Sequence, residues 1–268
     1  MAVLANIDQV KNAVKVAPVL AFEGVSLAYS VPHQRQISLL DNADWSLGRG
    51  AQVALCGPSG CGKTSVLNLL AAIEKPQQGR IAWHDGTADT EITALSDSQQ
   101  ETWRRSALGL VFQQFHLFPH MTALQNVLLP TRFAAWHPTT QQQDRASALL
   151  DRVGVRPNAD IRVLSRGEQQ RVAVARALLG GTFGGGTAPR VVLADEPTAS
   201  LDAATARIVA TMLSELCREQ GSTLIIATHD RDIAAMMDAV FDMADGKIIE
   251  RAPETLVESG HHAKDGSL

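Results

Sequence analysis

Apolar positions along the chain predict an alternation of strands and helices. Short runs rich in β-branched and apolar residues predict strands at residues 19–29 and Gln52–Cys56. Directly after the second strand, apolar residues recur at helical spacing between residues 64 and 73. A glycine-rich turn joins these two segments, so the sequence predicts a strand–turn–helix unit at this point.

The second half of the chain contains two fully apolar runs, at residues 191–194 and 224–227. Continuous apolar strands are typical of a parallel sheet that is covered on both faces. A helical pattern at residues 203–218 separates the two runs. This order predicts an α/β fold built on a parallel sheet.

The other segments predict subdivisions of this fold. Turn-forming residues and short alternating runs at residues 76–95 predict antiparallel strands, and helical patterns over about 97–177 predict an inserted helical subdomain. We expect residues 1–17 to be a leader, either a short helix or disordered, residues 18–252 to form the folded domain, and residues 253–268 to be a tail. Five glycines at the start of residues 180–190 predict a flexible surface loop.

Composition narrows the range of functions. The 268 residues are 45% hydrophobic and 19% charged, with a net charge of −4, which argues against nucleic acid as a partner. No apolar run approaches the roughly 20 residues needed to span a bilayer, so we expect a cytoplasmic protein that reaches a membrane only through a partner. Cys56, Cys61 and Cys217 predict reduced thiols, and Cys217, near a helix end, is expected to be accessible.

The glycine-rich turn matches the phosphate-binding P-loop pattern. Its residues, with the one that follows, are Gly57, Pro58, Ser59, Gly60, Cys61, Gly62, Lys63, Thr64 and Ser65. Glycines let successive backbone N–H groups point at a phosphate, and the following helix adds the positive end of its dipole. Lys63 supplies positive charge to the β- and γ-phosphates, and the Thr64 hydroxyl can bind Mg²⁺. The pattern predicts binding of a nucleotide phosphate, but it does not distinguish a kinase, a GTPase or a transport ATPase.

The apolar run at residues 191–194 ends in two carboxylates, Asp195 and Glu196. Ligands bind at the carboxyl ends of parallel strands, so Asp195 is placed to hold Mg²⁺. Glu196 lies one residue further and is predicted to be the general base that activates a water molecule in line with the γ-phosphate. A solvated pair of acids at the strand end is the alternative.

Four segments together carry a family resemblance. They are VFQQFHLFPHMTALQNV at residues 111–127, LSRGEQQRVAVARAL at 164–178, LADEPTASLD at 193–202 and ATHD at 227–230. In that order they resemble the Q-loop, the signature helix, the joined Walker B and D-loop, and the switch histidine of ABC transporter ATPases. The resemblance spans residues 18–252. It implies a P-loop NTPase fold with a RecA-like parallel sheet, an antiparallel β subdomain and an inserted helical subdomain.

The resemblance also implies roles around ATP and Mg²⁺. Gln113 would bind Mg²⁺ and sense the nucleotide, with the adjacent Gln114 as the alternative. His229 would contact the γ-phosphate and fix the attacking water. Tyr29 is similar to the aromatic residue on which the family stacks adenine, although a half-buried strand aromatic is the alternative.

Another group of residues is implied to act on ATP that the other protomer of a homodimer holds. Ser165, Gly167 and Glu168 would bind that ATP, and Asp202 would cross the dimer interface. The sequence departs from the family at Arg166, where glycine is usual. Since Ser165 and Gly167 are kept, we expect activity with altered geometry or affinity.

The chain most resembles the small ATPases of lipoprotein release and macrolide export, which work with an integral membrane permease. The ATPase of a nutrient importer and a non-transport module that gates a cell-envelope enzyme are the alternatives. The resemblance places the dimer on the inner face of the cell membrane. Residues 115–128, with Phe115, Leu117, Phe118 and Met121, predict a groove for a cytoplasmic permease helix, unless these side chains pack the subdomain core.

Overall fold

The computed structural model describes residues 18–29, 37–84, 89–132, 137–180 and 188–252. The predicted leader and tail, and most of the glycine-rich loop at residues 180–190, lie outside these ranges. Within them, the strands are β1 Leu20–Tyr29, β2 Ile37–Leu47, β3 Gln52–Cys56, β4 Gln78–His84, β5 Asp89–Glu91, β6 Leu108–Val111, β7 Val191–Asp195, β8 Thr223–Ala227, β9 Ala239–Ala244 and β10 Lys247–Glu250. The helices are α1 Lys63–Leu70, α2 Asp97–Ala107, α3 Ala123–Arg132, α4 Thr140–Arg152, α5 Arg166–Leu179, α6 Ala203–Gln220 and α7 Arg231–Ala234. None of these helices combines the length and the apolar character that crossing a bilayer requires.

The described part of the first ninety or so residues contributes an antiparallel sheet in the order β2-β1-β4-β5. Strands β4 and β5 confirm the antiparallel strands predicted within residues 76–95. Strand β2 was not predicted. Its pairing with β1 shifts register three times, and Asn42 within it has a φ of +48°. Irregularities of this kind interrupt the period-two alternation on which strand prediction depends.

The second sheet in the described ranges has the order β10-β9-β3-β8-β7-β6. Its strands β9, β3, β8, β7 and β6 are parallel, and β10 joins the edge antiparallel to β9. The apolar runs predicted to be covered on both faces form β7 and β8, beside β3. The α/β prediction is therefore confirmed, and the carboxyl ends of β3, β7 and β8 meet at one edge of the sheet.

Strand β6 was not expected within the helical subdomain predicted over about residues 97–177. It pairs in parallel with β7, and its four residues LGLV are too few to show a periodic pattern. Helix α2, which precedes β6, contacts the antiparallel sheet, where the rings of Trp103 and Trp83 are 5.7 Å apart. The helices inserted after β6 are α3, α4 and α5, which pack on one another.

Two hydrophobic cores cover the two faces of the parallel strands. One core joins these strands to α1 and to the antiparallel sheet, and it contains Trp45, Trp83 and Trp103. The other core lies beneath helices α3 to α6. Successive residues of β3, β7 and β8 alternate between the two cores, as the pleat of a strand requires.

Among the described helices, α2, α4 and α5 begin with the same capping arrangement, at Ser96, Thr139 and Ser165. In each, the hydroxyl of the cap accepts a hydrogen bond from the backbone N–H three residues later. The side chain of that later residue accepts one from the N–H of the cap. Asp202 caps α6 in a similar way, by accepting a hydrogen bond from the Thr205 N–H at 3.0 Å. The side chains of Ser165 and Asp202 are therefore both held in place by the helices that they cap.

Candidate functional site

The predicted phosphate loop joins β3 to α1 at the carboxyl edge of the sheet. Gly62 has a φ of +104°, and a Cβ there would lie 3.1 Å from the side chain of Leu39, so glycine is required. The Nζ of Lys63 donates hydrogen bonds to the carbonyls of Gly57 and Pro58, at 2.9 and 3.3 Å. The ammonium group therefore lies against the loop, at the amino end of α1, where two sources of positive charge coincide.

A cavity of about 640 Å³ opens in front of this loop. It is lined by Tyr29, Ile37, Leu39, Ser59, Gly60, Gly62, Lys63, Thr64, Ser65, Gln113, Asp195, Glu196 and His229. The lining does not include the loop residues Gly57, Pro58 and Cys61, of which Cys61 is half-buried. Gln113 reaches the cavity and Gln114 does not, which supports Gln113 as the metal-proximal glutamine.

Thr64 and Asp195 form the oxygen pair predicted to hold a metal ion. The Thr64 Oγ1 donates a hydrogen bond to the Asp195 Oδ2 at 2.9 Å. Burial raises the pKa of the Asp195 carboxyl, and the Thr64 hydrogen bond and Lys63 oppose that rise. A hydroxyl, a half-buried carboxylate and the Gln113 amide oxygen fit Mg²⁺, which prefers oxygen ligands and usually keeps substrate phosphates and water as further ligands.

Glu196 is held in an unusual conformation at the end of β7. It has a φ of +45°, and its N–H donates to the carbonyl of Ala227 at the end of β8. The Nδ1 of His229 lies 2.9 Å from each of the two Glu196 carboxylate oxygens, and the Lys63 Nζ lies 3.8 Å from one of them. The carboxylate is thus aimed into the cavity beside the phosphate loop, with a histidine as its immediate partner.

Tyr29 forms part of the cavity wall together with Ile37 and Leu39. Its hydroxyl is hydrogen-bonded to Glu74 and lies 3.2 Å from the Ser65 Oγ. Burial is the first cause of the raised pKa of this phenol, and the Glu74 hydrogen bond is the second. Anchoring of the hydroxyl fixes the ring at the mouth of the cavity, which supports the predicted stacking role without testing it.

The residues predicted to act across a dimer lie in a different place. Ser165, Arg166, Gly167 and Asp202 line a separate cavity of about 400 Å³ between the amino ends of α5 and α6. No residue is shared between this lining and that of the first cavity. Arg166 is exposed there. Within one chain, the predicted residues therefore form two separate half-sites.

Glu168 lines neither of these cavities. Its Oε2 accepts hydrogen bonds from the Ser165 N–H and hydroxyl, both at 2.8 Å, and these bonds lower the pKa of the carboxyl. The structure therefore gives Glu168 a local task, which is to hold the Ser165 side chain at the start of α5. Its predicted direct contact with ATP stays a prediction.

An apolar groove of about 440 Å³ lies at the junction of α2, β6, α3 and α5. Its apolar wall includes Leu108, Phe112, Leu129 and Pro130, and its rim carries Glu101, Arg104, Arg105 and Arg176. The predicted groove residues behave differently, since Phe118 is 51% exposed but Leu117 packs against the helical core. Of the predicted segment, only His116 lines the groove, and α2 and β6 form much of it.

Sequence reasoning missed several residues of the nucleotide cavity. Ile37 and Leu39 were missed because β2 itself was missed. Glu74 was missed because its hydrogen bond to Tyr29 joins residues that are distant in sequence.

Cys217 is fully buried, and burial raises the pKa of its thiol to about 12, so the expectation of an accessible thiol was wrong. The prediction considered only that Cys217 lies near the end of a helix. It did not consider that Cys217 lies on the face of α6 that packs on the core.

Comparison with known proteins agrees with this arrangement. The family model of the ABC transporter matches residues 40–199. The lipoprotein-releasing system ATP-binding protein LolD of Syntrophotalea carbinolica is 39% identical over 216 residues, which cover 80% of this chain and 90% of that protein. The macrolide export ATP-binding/permease protein MacB of Photorhabdus laumondii is 37% identical over 86% of this chain, but the match covers 34% of that protein. A dimeric, post-hydrolysis structure of the ATP-binding cassette MJ0796 bound to ADP and Pi has a TM-score of 0.73 at 32% identity, covering 87% of this chain and 97% of that one. The chain therefore belongs to the ABC transporter family.

Proposed function

We propose that this chain is the ATP-hydrolysing subunit of an ABC transporter of the export type. One observation carries the proposal: Lys63, Thr64, Asp195, Glu196 and His229 converge from three segments of the chain on a single cavity. They supply, in one place, positive charge for phosphates, oxygen ligands for Mg²⁺ and a carboxylate for proton transfer. The named relatives LolD and MacB belong to release and export systems, which favours export over import.

Hydrolysis of ATP by these residues is an in-line displacement by water. Glu196 accepts a proton from the water as its oxygen bonds to the γ-phosphorus, and the bond to the ADP oxygen breaks. Lys63 stabilises the negative charge of the phosphates, and His229 orients the Glu196 carboxylate through its Nδ1. Mg²⁺, which Thr64, Asp195 and Gln113 would hold, would neutralise charge on the β- and γ-phosphates.

The active form is a homodimer with ATP between its protomers. The signature residues Ser165 and Gly167 lie in a cavity that does not touch the phosphate loop of the same chain. A second copy brings these residues to the loop and completes both sites. The dimeric state of the MJ0796 cassette supports this arrangement.

The groove between α2, β6, α3 and α5 receives a cytoplasmic helix of the membrane permease. An apolar wall with three arginines and one glutamate at its rim favours a helix that has an apolar face and a carboxylate. The half-exposed Phe118 lies in the segment that leads from Gln113 towards α3. Docking there would hold the subunit on the cytoplasmic face of the membrane.

The proposal is tested by replacing Glu196 with glutamine. Glu196→Gln keeps the size of the side chain but cannot accept the proton, so turnover should fall by about 10²- to 10⁴-fold while ATP binding persists. ATP turnover is measured with phosphate release, and binding with a fluorescent ATP analogue. Glu219→Gln is the matched control, because Glu219 is a surface carboxylate paired with Arg152. Near-normal turnover in Glu196→Gln would exclude Glu196 as the base.

A further inference from the structure

The guanidinium group of Arg176 is partly buried beneath the segment that contains Gln113. Arg176 lies in the last turns of α5, and its Nη1 and Nη2 donate hydrogen bonds to the carbonyls of His116 and Phe115, at 2.6 and 2.7 Å. Burial lowers the pKa of this guanidinium. No carboxylate within the described ranges pairs with it, so backbone carbonyls take the place of the usual anion. A partly buried cation whose hydrogen bonds all go to one short segment fixes the position of that segment.

The segment itself is in a strained conformation that needs such support. His116 has a φ of +47°, a left-handed conformation that is unfavourable for a residue with a side chain. Its ring packs edge-on against that of Phe112, with the centroids 5.2 Å apart and the planes at 82°. Gln113 lies between these two rings in the chain. The direction of the Gln113 side chain is therefore set by a closed turn whose far end is held by Arg176.

The chain beyond this turn is held by a second side chain. Asn126 of α3 is fully buried, and its amide bonds both the N–H and the carbonyl of Phe118, at 2.7 and 3.1 Å. It also donates to the carbonyls of Met121 and Thr122, at 3.3 and 3.0 Å. Asn126 thus fixes residues 118–122. Arg176, and not Asn126, fixes residues 115 and 116, which are nearer to Gln113.

We propose that Arg176 is a positioning residue for Gln113, and that it links the nucleotide cavity to helix α5 and to the apolar groove. Helix α5 begins at the signature residues, and Arg176 near its other end both lines the groove and holds the Gln113 turn. This inference rests on the proposed function, because it assigns Arg176 a part in ATP hydrolysis.

A partly buried arginine that only stabilises the fold is the competing explanation, and Arg145 provides the control for it. Arg145 of α4 also donates to a backbone carbonyl, that of Leu178 at 3.2 Å, and burial also lowers its pKa. It makes no hydrogen bond to the Gln113 segment. Arg145→Met and Arg176→Met therefore remove comparable groups, of which only one touches the turn.

The experiment compares these variants with Gln113→Ala in the full chain. Arg176→Met should raise the Mg²⁺ concentration for half-maximal ATPase activity by about 10- to 100-fold, as is typical when a residue behind a metal ligand is lost. Binding of a fluorescent ATP analogue without Mg²⁺ should be unchanged. Amide hydrogen exchange at residues 113–118, measured without nucleotide, should become faster. Arg145→Met should leave the Mg²⁺ dependence and this exchange within about twofold of the wild type.

Coupling between Arg176 and Gln113 decides the outcome. If Arg176 acts through Gln113, the double variant is no worse than Gln113→Ala alone, because each change removes the same contribution. Multiplying losses, or an equal shift of Mg²⁺ dependence in Arg145→Met, would overturn the inference. Arg176→Lys, which keeps a donor, should recover part of the affinity for Mg²⁺ and serves if Arg176→Met fails to fold. A wild-type chain without ATPase activity would instead refute the proposed function, and the hydrogen exchange measurement would still test the attachment.

Discussion

At the scale of single residues, two segments of the nucleotide cavity contain a backbone in the left-handed conformation. Five described non-glycine residues have a positive φ, and two of them, His116 and Glu196, belong to the segments that carry Gln113 and the predicted base. Left-handed residues persist where the surrounding contacts fix them, and both have such contacts, from Arg176 and from the Ala227 carbonyl. The sequence predicts which acids stand at the end of β7, but not that the backbone reverses at Glu196 or that His229 meets its carboxylate.

The three thiols have environments that predict very different reactivities. Cys217 is fully buried with a pKa raised to about 12, so only about one thiol in ten thousand is ionised at pH 8. Burial also raises the pKa of Cys56. Cys61 is half-buried within the phosphate loop. A maleimide should therefore label Cys61 first in the native protein, and bound MgATP should slow that labelling.

Peptide mapping by mass spectrometry checks this order of labelling. Cys61→Ser should resist native labelling, and Cys217 should react only after denaturation. Modification of Cys217 in the native protein at a rate similar to that of Cys61 would contradict the burial of α6 against the core.

At the scale of elements, predictability follows from whether one residue pattern spans the whole element. Strands β3, β7 and β8 each contain four consecutive apolar residues with one polar residue at an end, and they were predicted because both of their faces are buried. Strand β2 contains Asp41, Asn42 and Asp44 and a shifted register, so its alternation is broken. Strand β6 is too short to show a period. The cavity walls that β2 contributes were unpredictable for the same reason.

The shared capping arrangement separates stability from catalysis. Ser96→Ala, Thr139→Ala and Ser165→Ala should each lower the free energy of unfolding by about 1 kcal/mol, because each leaves a backbone N–H without its acceptor. Only Ser165 faces the predicted dimer site. Ser165→Ala should therefore also slow ATP hydrolysis by about 10- to 100-fold, the cost of one hydrogen bond to a charged group.

Urea unfolding and phosphate release measure the two effects separately. The Ser96 and Thr139 variants are the controls, since they lose the same type of bond far from the signature residues. Equal activities in all three variants would mean that the Ser165 hydroxyl serves only as a helix cap.

At the scale of the whole molecule, the two separate half-sites require two chains. Combining Lys63→Ala in one chain with Ser165→Arg in the other places both lesions in one composite site and leaves the second site intact. Such a heterodimer should keep roughly half of the wild-type activity when the two sites act independently. Each homodimer should be inactive, because every site then carries a lesion.

The matched control places both lesions in one chain and pairs it with a wild-type chain. Each composite site then carries one lesion, so this heterodimer should be inactive. The two heterodimers are isolated with two different affinity tags, and their phosphate release is compared. The reverse order of activities would show that each chain acts on its own ATP. Only the arrangement in three dimensions supplies this argument, because the sequence alone does not show that Ser165 is out of reach of Lys63.

The location of the tryptophans determines what intrinsic fluorescence can report. Trp45, Trp83 and Trp103 are each less than a tenth exposed, at 7%, 4% and 8%, and all three belong to the core between the two sheets. Trp136 lies outside the described residues, and the substitution Trp136→Phe would remove its emission from the signal. The indole signal then follows separation of the antiparallel sheet from the parallel strands, while far-ultraviolet circular dichroism follows mainly the helices on the opposite face. Thermal transitions recorded by these two optical methods would coincide only if both halves of the protein melt as one cooperative unit.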